Sequence, residues 1–348
     1  MPHPARQTVT LHDVAAAAGV SLATASRVLG GSSRTVAPGL RKRVLAAAER
    51  LRYTADASAR AMRGMSDSLA LVVDDLTTPS MAIMVAEMER RARTTGAFVT
   101  ISATRGDPAR QLETIRRVRA LRPRALVLTS GRVDGDALSG RLLAELRAYE
   151  QDGGRVVVVG DTDLPFHSVG FDNHQAARRL GRYVAESGHR RVAIIAGVRG
   201  QAAATARTVG FVEGLRAGGV AEADVRIVHC AMMSREGGFE AAQRLVAEGR
   251  RGIDAIMAAN DLIAVGALRA LRQARVAVPE DVSLTGFDDI GPAVNVTPRL
   301  TTMALPIAYA GAEAIRLALG EPGAVTHVTV EGRLVVRNST VERPAPSG

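Results

Sequence analysis

The sequence predicts an α/β protein with two parts: an N-terminal all-α domain, and a larger domain of two parallel α/β subdomains. Three observations support this. Residues 1–64 carry ten basic and three acidic side chains, and so hold +7 of the net charge of +10. Residues 9–64 have the pattern of a small all-helical unit. From residue 69 onward, short β-branched runs alternate with amphipathic stretches, which is typical of a parallel sheet.

The composition narrows the possible functions. A basic segment on a nearly neutral body is the electrostatic signature of a nucleic-acid-binding module. Cys230 is the only cysteine, so we expect no disulfide, no multi-cysteine zinc site and an inert buried thiol. No apolar run reaches the ~18 residues of a membrane span, and the first residues lack a secretory signal pattern. We therefore expect a cytoplasmic protein with no membrane partner.

The basic segment predicts three helices. Thr10 to Asp13 forms a capping box before a helix over 11–18, and Gly19 supplies a tight turn. Ser21 can cap a second helix over about 22–30. Pro38 suits the first turn of a third helix over about 39–51. A helix, a glycine turn and a capped helix have the dimensions of a helix-turn-helix, whose second helix enters the major groove. The segment 56–64 forms only about two helical turns, so we expect it to be ordered conditionally.

The rest of the chain predicts two α/β subdomains. This part is longer than a segment that usually folds around a single hydrophobic core. A cleft between two such subdomains is a usual ligand site. Residues 325–331 and 333–336 are expected to form a closing hairpin. The predicted strands are 69–74, 98–102, 125–128, 156–159, 192–196, 225–228, 255–257 and 282–284. The predicted helices are 81–95, 108–121, 174–187, 203–217, 236–249 and 261–274.

These residues carry a family resemblance. The segments TLHDVAAAAGVSLATASRVLGG and VAPGLRKRVLAAAERLRYTADASARAMR resemble the DNA-binding domain and hinge helix of LacI/GalR-family bacterial transcription regulators. The similarity continues through VVDDLTTPSMA, VGFDN, GHRRVAIIAG, ARTVGFVEGL, AANDLIAVGALRAL, VPEDVSLTGFDDI, PRLTTMALP and LVVRNST. It implies a helix-turn-helix over 9–55 after a tail at 1–8, a hinge over 56–66, and a periplasmic-binding-protein-like effector domain over 67–345. The expected first subdomain is 67–169 with 299–323, and the second is 170–298 with 324–342.

The resemblance also implies which side chains face DNA. Leu22 and Ala23 suit thymine methyls, and Arg27 can bind a guanine edge with two hydrogen bonds. The alternative for Leu22 is an ordinary exposed apolar residue. Phosphate contacts set the register without reading sequence. The full set of expected positions in this domain is Thr10, Ser21, Leu22, Ala23, Thr24, Ser26, Arg27 and Tyr53, with Thr10, Ser21 and Tyr53 at phosphates.

Met62 falls where the resemblance places a hinge-helix leucine that acts as a wedge between base steps of the minor groove. Ala59 and Arg60 would lie along the same groove. The alternative is that Met62 packs against its dimer mate. Ala55 and Asp56 replace a common Pro-Asn pair, which puts a phosphate contact there in doubt.

For the effector, the resemblance points to Arg207, Asn260 and Asp288, each at a strand end or helix start. The alternative for these residues is a structural salt bridge or a helix cap, and a cap is what we expect of Asp261. Met81 lies in a loop that is commonly aromatic-rich in the family. The effector is expected to be small and polar, such as a sugar, a sugar derivative or a nucleoside. The nearby aromatic candidates are Phe166, Phe171 and Phe287, and Phe287 is equally a candidate for the core.

No enzyme motif is present, the histidines lack metal-ligand spacing, and His189 is expected to be a packing residue. We expect no cofactor, no metal and no catalysis. The favoured interpretation is a homodimeric repressor that binds a palindromic operator. The operator sequence stays open, as does whether the effector strengthens or weakens operator binding. A dimer is favoured over a tetramer because no leucine-heptad tail follows residue 340. The alternative is a solute-binding protein of the same α/β fold without a DNA role.

Overall fold

A computed structural model describes residues 9–29, 36–53, 66–129, 137–160, 162–249 and 252–344. It divides into two compact units, a small one with the first three helices and a large one with both sheets. The predicted hinge residues Ala59, Arg60 and Met62 lie outside the described ranges. Within those ranges, no helix combines the length and the apolar character needed to cross a membrane.

The small unit contains α1 (Leu11–Ala18), α2 (Leu22–Leu29) and α3 (Pro38–Arg50). The predicted capping box is confirmed: the Thr10 side chain accepts from the Asp13 backbone, and the Asp13 carboxylate accepts from the Thr10 backbone at 2.8 Å. Gly19 ends α1 in the left-handed region at φ 61°. α3 begins at Pro38, as predicted for a residue that lacks a free N–H. Small apolar residues close the three helices over one core, which contains Val14, Ala15, Ala18, Ala25, Val44, Ala47 and Ala48.

Arg43 holds the turn between α1 and α2, a role that the sequence did not reveal. Its Nε donates to the Ala18 carbonyl at 2.9 Å, and its Nη2 donates to the Gly19 carbonyl at 2.9 Å. These carbonyls end a helix and have no partner within it, so a guanidinium from α3 is a suitable cap. The turn geometry is therefore fixed by a residue of the third helix.

The large unit is built on two six-stranded sheets. The first sheet has the order β11-β5-β4-β3-β1-β2, with β1 (Ser66–Val73), β2 (Phe98–Ala103), β3 (Pro123–Leu128), β4 (Arg155–Val159), β5 (His167–Phe171) and β11 (His327–Val330). The second has the order β12-β10-β9-β8-β6-β7, with β6 (Val192–Ala196), β7 (Val225–His229), β8 (Ala255–Ala258), β9 (Ser283–Asp288), β10 (Thr301–Ala304) and β12 (Arg333–Val335). All neighbouring strands whose register is known are parallel except β10 and β12. We call each sheet with its helices a lobe.

Helices cover both sheets, as expected where parallel strands are joined by crossovers. In the first lobe they are α4 (Pro79–Thr94), α5 (Pro108–Arg119), α6 (Ala137–Gln151) and α12 (Ile307–Leu319). In the second they are α7 (Asn173–Glu186), α8 (Ala202–Ala217), α9 (Arg235–Ala247), α10 (Asp261–Gln273) and the short α11 (Gly291–Asn295). A short 3-10 turn covers Glu222–Asp224.

The chain crosses between the lobes three times, after β5, after β10 and after β11. Two expectations are corrected by this path. The prediction of a hairpin at 325–336 is wrong, because β11 pairs with β5 in the first lobe while β12 pairs with β10 in the second. Residues 299–323 do not all belong to the first lobe, because β10 pairs with β9. Only the segment after β10 returns to the first lobe, as α12.

In the second lobe, α9 and α10 pack closely because α10 carries a glycine at the contact. A Cβ placed on Gly266 would collide with the Arg235 carbonyl and lie 2.7 Å from the Phe239 amide nitrogen. Arg235 is the first residue of α9, at the edge of the cleft described below. This close approach therefore fixes the position of a helix start that borders the cleft.

Candidate nucleic-acid interface and ligand cleft

One face of α2 is open to solvent. Leu22 is 49% exposed, Ala23 and Arg27 are exposed, and Ser26 is half-buried, while Ala25 between them is fully buried in the core. Residues 22, 23, 26 and 27 share one side of a helix because three- and four-residue steps return to the same face. The face thus presents a methyl surface, a hydroxyl and a guanidinium together.

The start of α2 is capped as predicted. The Ser21 Oγ accepts from the Thr24 amide at 3.2 Å and lies 2.9 Å from the Thr24 hydroxyl. Both hydroxyls are at the positive end of the helix dipole, where a phosphate is favoured.

The other two predicted phosphate contacts, Thr10 and Tyr53, differ in how free their side chains are to bind a phosphate. The Thr10 hydroxyl donates to the Asp13 carboxylate at 2.7 Å, and these Thr10 hydrogen bonds hold the Asp13 pKa below its ordinary value. A phosphate would have to share or replace that bond. Tyr53 is half-buried and packs against the helical core.

The large unit contains a cleft of about 960 Å³ between its lobes. Its wall follows the carboxyl ends of strands and the starts of helices, the usual ligand position in open α/β sheets. The first lobe contributes Asp74, Asp75, Thr77, Thr78, Pro79, Met81, Met84, Arg105, Gly106, Thr129, Val159 and Gly160. The second contributes Val198, Gln201, Ala202, Ala203, Arg207, Met232, Met233, Ser234, Arg235, Glu236 and Leu262, and Phe171 and Asn173 lie at the crossing between lobes.

Arg207 is the most extensively bonded side chain of this wall. Its Nη2 lies 2.9 Å from Asp288 Oδ1, its Nε donates to Asn173 Oδ1 at 2.8 Å, and its Nη1 donates to the Ala259 carbonyl at 2.8 Å. The guanidinium carbon also lies 4.1 Å from the centroid of the Phe287 ring. A planar guanidinium with several fixed donors suits such a site, and this network orients Arg207 toward the cleft.

Asp288 belongs to this network and Asn260 follows Ala259 in the chain, but neither is part of the cleft wall. Burial raises the Asp288 pKa, with Arg207 acting in the opposite direction. Asp288 and Asp289 have positive φ angles of 103° and 57°, a strained backbone that often accompanies functional sites. Asn260 caps α10, because its Oδ1 accepts from the Ile263 amide at 2.8 Å. Their direct contact with an effector stays a prediction.

Asp261 does not cap its helix, which corrects the expectation, because Asn260 fills that position. Asp261 is fully buried, and its carboxylate accepts from the Ile290 amide at 2.8 Å and from the Thr302 hydroxyl at 2.7 Å. It thereby ties α10 to β10 and to the segment after β9. Burial, and then the charge of Asp288, raise the Asp261 pKa to about 7.

The cleft is poor in aromatic rings. Of the three candidates only Phe171 lines it, whereas Phe166 and Phe287 are buried in the lobes. Met81 lines the cleft, and its contact with an effector stays a prediction. Sequence reasoning missed Asp74, Arg105 and Thr129, although each lies at or within three residues of the end of a predicted strand, and strand ends were the available signal.

A helix-turn-helix and a two-lobed cleft in one chain define the class of DNA-binding regulators with an attached sensor domain. The comparisons agree. Residues 10–56 match the model of the bacterial regulatory proteins of the lacI family, and residues 182–340 match that of the periplasmic binding protein-like domain. The HTH-type transcriptional regulator DegA of Bacillus subtilis is 30% identical over 336 residues, covering 95% of this chain and 98% of DegA.

Two solved structures are similar over nearly the whole chain. A lac repressor dimer bound to operator and the anti-inducer ONPF has a TM-score of 0.82 at 25% identity, covering 96% of this chain and all of that one. A complex of the transcriptional regulator CelR with cellobiose has a TM-score of 0.68 at 28% identity, covering 95% and 99%. The chain belongs to the LacI family of bacterial regulatory proteins. It is a DNA-binding transcription regulator and not an enzyme, so the reading as a solute-binding protein without a DNA role is wrong.

Proposed function

We propose that this protein is a homodimeric repressor that binds a palindromic operator and changes its operator affinity when a small ligand occupies the cleft. Such a protein acts in the cytoplasm, where the bacterial chromosome lies. The lac repressor, a structural relative, is a dimer on operator DNA and is named for repression. Two copies related by a two-fold axis match two half-sites of a palindrome.

One observation carries the DNA-binding part of the proposal. The exposed face of α2 presents Leu22, Ala23 and Arg27 together, while Arg43 fixes the turn that aims this helix. Leu22 and Ala23 would contact thymine methyls, Arg27 a guanine edge, and Ser26 either base type. Thr24 and Ser21 would hold phosphate at the start of α2, with Thr10 and Tyr53 as outer phosphate contacts.

The test is selection of bound duplexes from a random library by the full chain, followed by gel shift with the selected operator. Arg27→Ala is expected to weaken operator binding about fivefold or more and to relax one base position, since a bidentate pair contributes ~1–3 kcal/mol of discrimination. Arg93→Ala is the matched control, because it removes one exposed positive charge from α4. Equal effects of the two variants would reject base reading by Arg27.

The hinge part of the proposal rests on the resemblance. Met62 would insert between base steps at the operator centre, with Ala59 and Arg60 along the same minor groove. Met62→Gly is expected to weaken operator binding while ligand binding to the cleft is unchanged. Loss of ligand binding with intact operator affinity would reject the wedge.

The effector part rests on the cleft. Arg207 and Met81 would touch the ligand directly, and Asn260 and Asp288 would join it when the lobes adjust. CelR, a structural relative, binds cellobiose, which supports a small polar compound such as a sugar, a sugar derivative or a nucleoside. The ligand can control the operator only if it binds one state of the protein better than the other.

A further inference from the structure

Four methionines line the cleft, two from each lobe. Met81 and Met84 come from the start of α4, and Met232 and Met233 come from the segment between β7 and α9. The whole chain has ten methionines, so four of them meet at one site. The cleft therefore has a thioether pair on each of its two walls.

The members of each pair differ in how firmly they are held. Met84 is buried, with its backbone and side chain against Gly311 of α12, and Met81 packs on the same core. Met233 lies over Gly197, where a Cβ would come within 2.6 Å of its sulfur. Met232 is 50% exposed. Each wall thus has an anchored methionine and a freer one, which suits a surface that adapts to its ligand.

The chemistry of these side chains selects a kind of ligand. A methionine sulfur interacts favourably with an aromatic ring, often at the ring edge, by ~0.3–1.5 kcal/mol. The described wall supplies one aromatic ring, Phe171, so the apolar face of a sugar ring finds little aromatic surface to stack on. Methionine and ring complement each other when the ring belongs to the ligand.

We infer that the effector carries an aromatic ring, bound between the methionine pair Met81 and Met84 of one lobe and the pair Met232 and Met233 of the other. This inference rests on the proposed effector role of the cleft and names the ligand class. The polar part of the same ligand binds toward Arg207. The cleft volume of about 960 Å³ lies near the upper end of the ~300–1,000 Å³ of ligand pockets, which leaves room for a ring and a polar group together.

The charges on the wall fit a ligand whose polar part has both donors and acceptors. Arg105 and Arg235 are exposed, and Asp74, Asp75 and Glu236 lie on the same wall. Among the described residues of the wall, three acids and two arginines, besides the paired Arg207, give no positive excess that would select a strong anion. A phenolic glycoside or a hydroxylated aromatic compound meets both conditions, because its ring is apolar and its substituents hydrogen-bond without a full charge.

The experiment uses full-length protein labelled with [methyl-¹³C]methionine and a fixed panel of matched probes. The aromatic probes are phenyl β-D-glucoside, phenyl β-D-galactoside, 4-hydroxybenzyl alcohol and catechol, and their counterparts are the cyclohexyl glycosides, 4-(hydroxymethyl)cyclohexanol and cyclohexane-1,2-diol. At least one aromatic probe is expected to move methyl signals of both pairs in a saturable way, and the Kd from that titration is expected to be about threefold or more below the Kd of its saturated counterpart. The methyls of Met257 and Met303, which are buried in the second lobe, are internal controls.

A variant separates sulfur chemistry from simple apolar volume. The double variant Met81→Leu, Met232→Leu keeps the size of the wall but removes one sulfur from each pair. The Kd of the aromatic probe is expected to rise about threefold or more, since two such contacts correspond to at least ~0.6 kcal/mol. Met88→Leu, on the same helix but fully buried and away from the cleft wall, is the matched control and is expected to leave Kd unchanged.

Three outcomes would overturn the inference: no aromatic probe shifts the four methyls, the saturated counterparts bind with the same Kd, or the leucine double variant binds as tightly as the wild type. None of these outcomes touches operator binding, which the Arg27 experiment measures separately. If operator binding fails while aromatic probes bind the cleft, the proposed function is wrong and the ligand class stands.

Discussion

The guanidinium of Arg207 lies 2.9 Å from the carboxylate of Asp288, and both side chains are buried. Arg207 belongs to α8 and Asp288 ends β9, so one ion pair joins a helix that borders the cleft to a strand of the sheet beneath it. Arg207 also donates hydrogen bonds to Asn173 and to the Ala259 carbonyl, and its guanidinium lies over the Phe287 ring. An effector that reaches Arg207 therefore meets a group whose position is already fixed.

Arg207→Met is expected to lower the free energy of unfolding by about 3–5 kcal/mol, because it leaves a buried carboxylate without its partner. Adding Asp288→Asn to the same chain is expected to recover at least about 1 kcal/mol, since the second change removes the stranded charge. Equilibrium urea denaturation of the two single variants and the double variant measures this coupling. A double variant whose loss equals the sum of the two single losses would contradict it.

Asp261 predicts a dependence of stability on pH. Its pKa is raised from 3.8 to about 7, so between about pH 4 and pH 7 the folded state keeps a proton that the unfolded state has lost. The contribution is thus fully present below about pH 4 and is lost as pH rises through about 7. Asp261→Asn is expected to remove this fall, because the amide can accept from the Ile290 backbone and donate to the Thr302 hydroxyl.

Urea midpoints at pH 5, 6, 7 and 8 check the Asp261 prediction. The free energy of unfolding of the wild type should fall relative to Asp261→Asn by a few kcal/mol across this range. Glu240→Gln, which removes an exposed carboxylate of α9, is the control for a general charge effect and should leave the slope unchanged. Parallel curves for the wild type and Asp261→Asn would show that the carboxylate stays ionised throughout.

The backbone conformation of Gly19 makes the helix-turn-helix sensitive to a side chain at this position. Its left-handed φ of 61° and the Arg43 Nη2 atom, 2.7 Å from where a Cβ would lie, both oppose a side chain. Gly19→Ala is expected to destabilise the small unit by about 1–2 kcal/mol. Hydrogen exchange of peptides covering Leu11–Arg50 should become faster by a corresponding factor.

Gly39→Ala is the matched control for that change. Gly39 lies in α3, is exposed and has no atom within 4 Å of an added Cβ. A Gly-to-Ala change at a compatible position stabilises by about 0.4–1 kcal/mol. Hydrogen exchange in the same peptides should therefore become slower. A similar acceleration in both variants would mean that the left-handed backbone of Gly19 does not cause the loss of stability.

Local signals in the sequence predicted the small unit well. The capping box at Thr10, the turn glycine at 19 and the proline at 38 each act within a few residues, and the structure has helices beginning or ending at these points. Most strands were also found, because buried parallel strands are short apolar runs. The strands His167–Phe171 and Thr301–Ala304 were missed. A histidine, a serine and a glycine interrupt the apolar pattern of the first, and two threonines begin the second.

Long-range contacts could not be predicted from the same signals. Whether β10 joins the first or the second sheet depends on a pairing between residues far apart in sequence, and nothing in the run Thr301–Ala304 encodes it. The role of Arg43 could not be predicted for the same reason, because the carbonyl groups that it binds lie 24 and 25 residues earlier in the chain. Asp261 looked like a cap because it begins a helix, but its partners come from β10 and the segment after β9.

Gly266 links helix packing to the cleft, and Gly266→Ala tests that link. The added methyl would collide with the Arg235 carbonyl at the start of α9, so α9 must shift away from α10. Overpacking of this kind costs about 1–3 kcal/mol. Because Met232 and Met233 lie within three residues of the start of α9, their methyl NMR signals are expected to move while that of Met81, on the other lobe, stays in place.

Gly291→Ala serves as the comparison for Gly266→Ala. It lies at the start of α11, where the nearest atom to an added Cβ is Asn295 Nδ2 at 4.0 Å, and it should change the urea midpoint little. If Gly266→Ala destabilised the protein but left the Met232 and Met233 signals unmoved, the second lobe would have absorbed the methyl elsewhere. In that case the α9–α10 contact would stabilise the lobe without positioning the wall of the cleft.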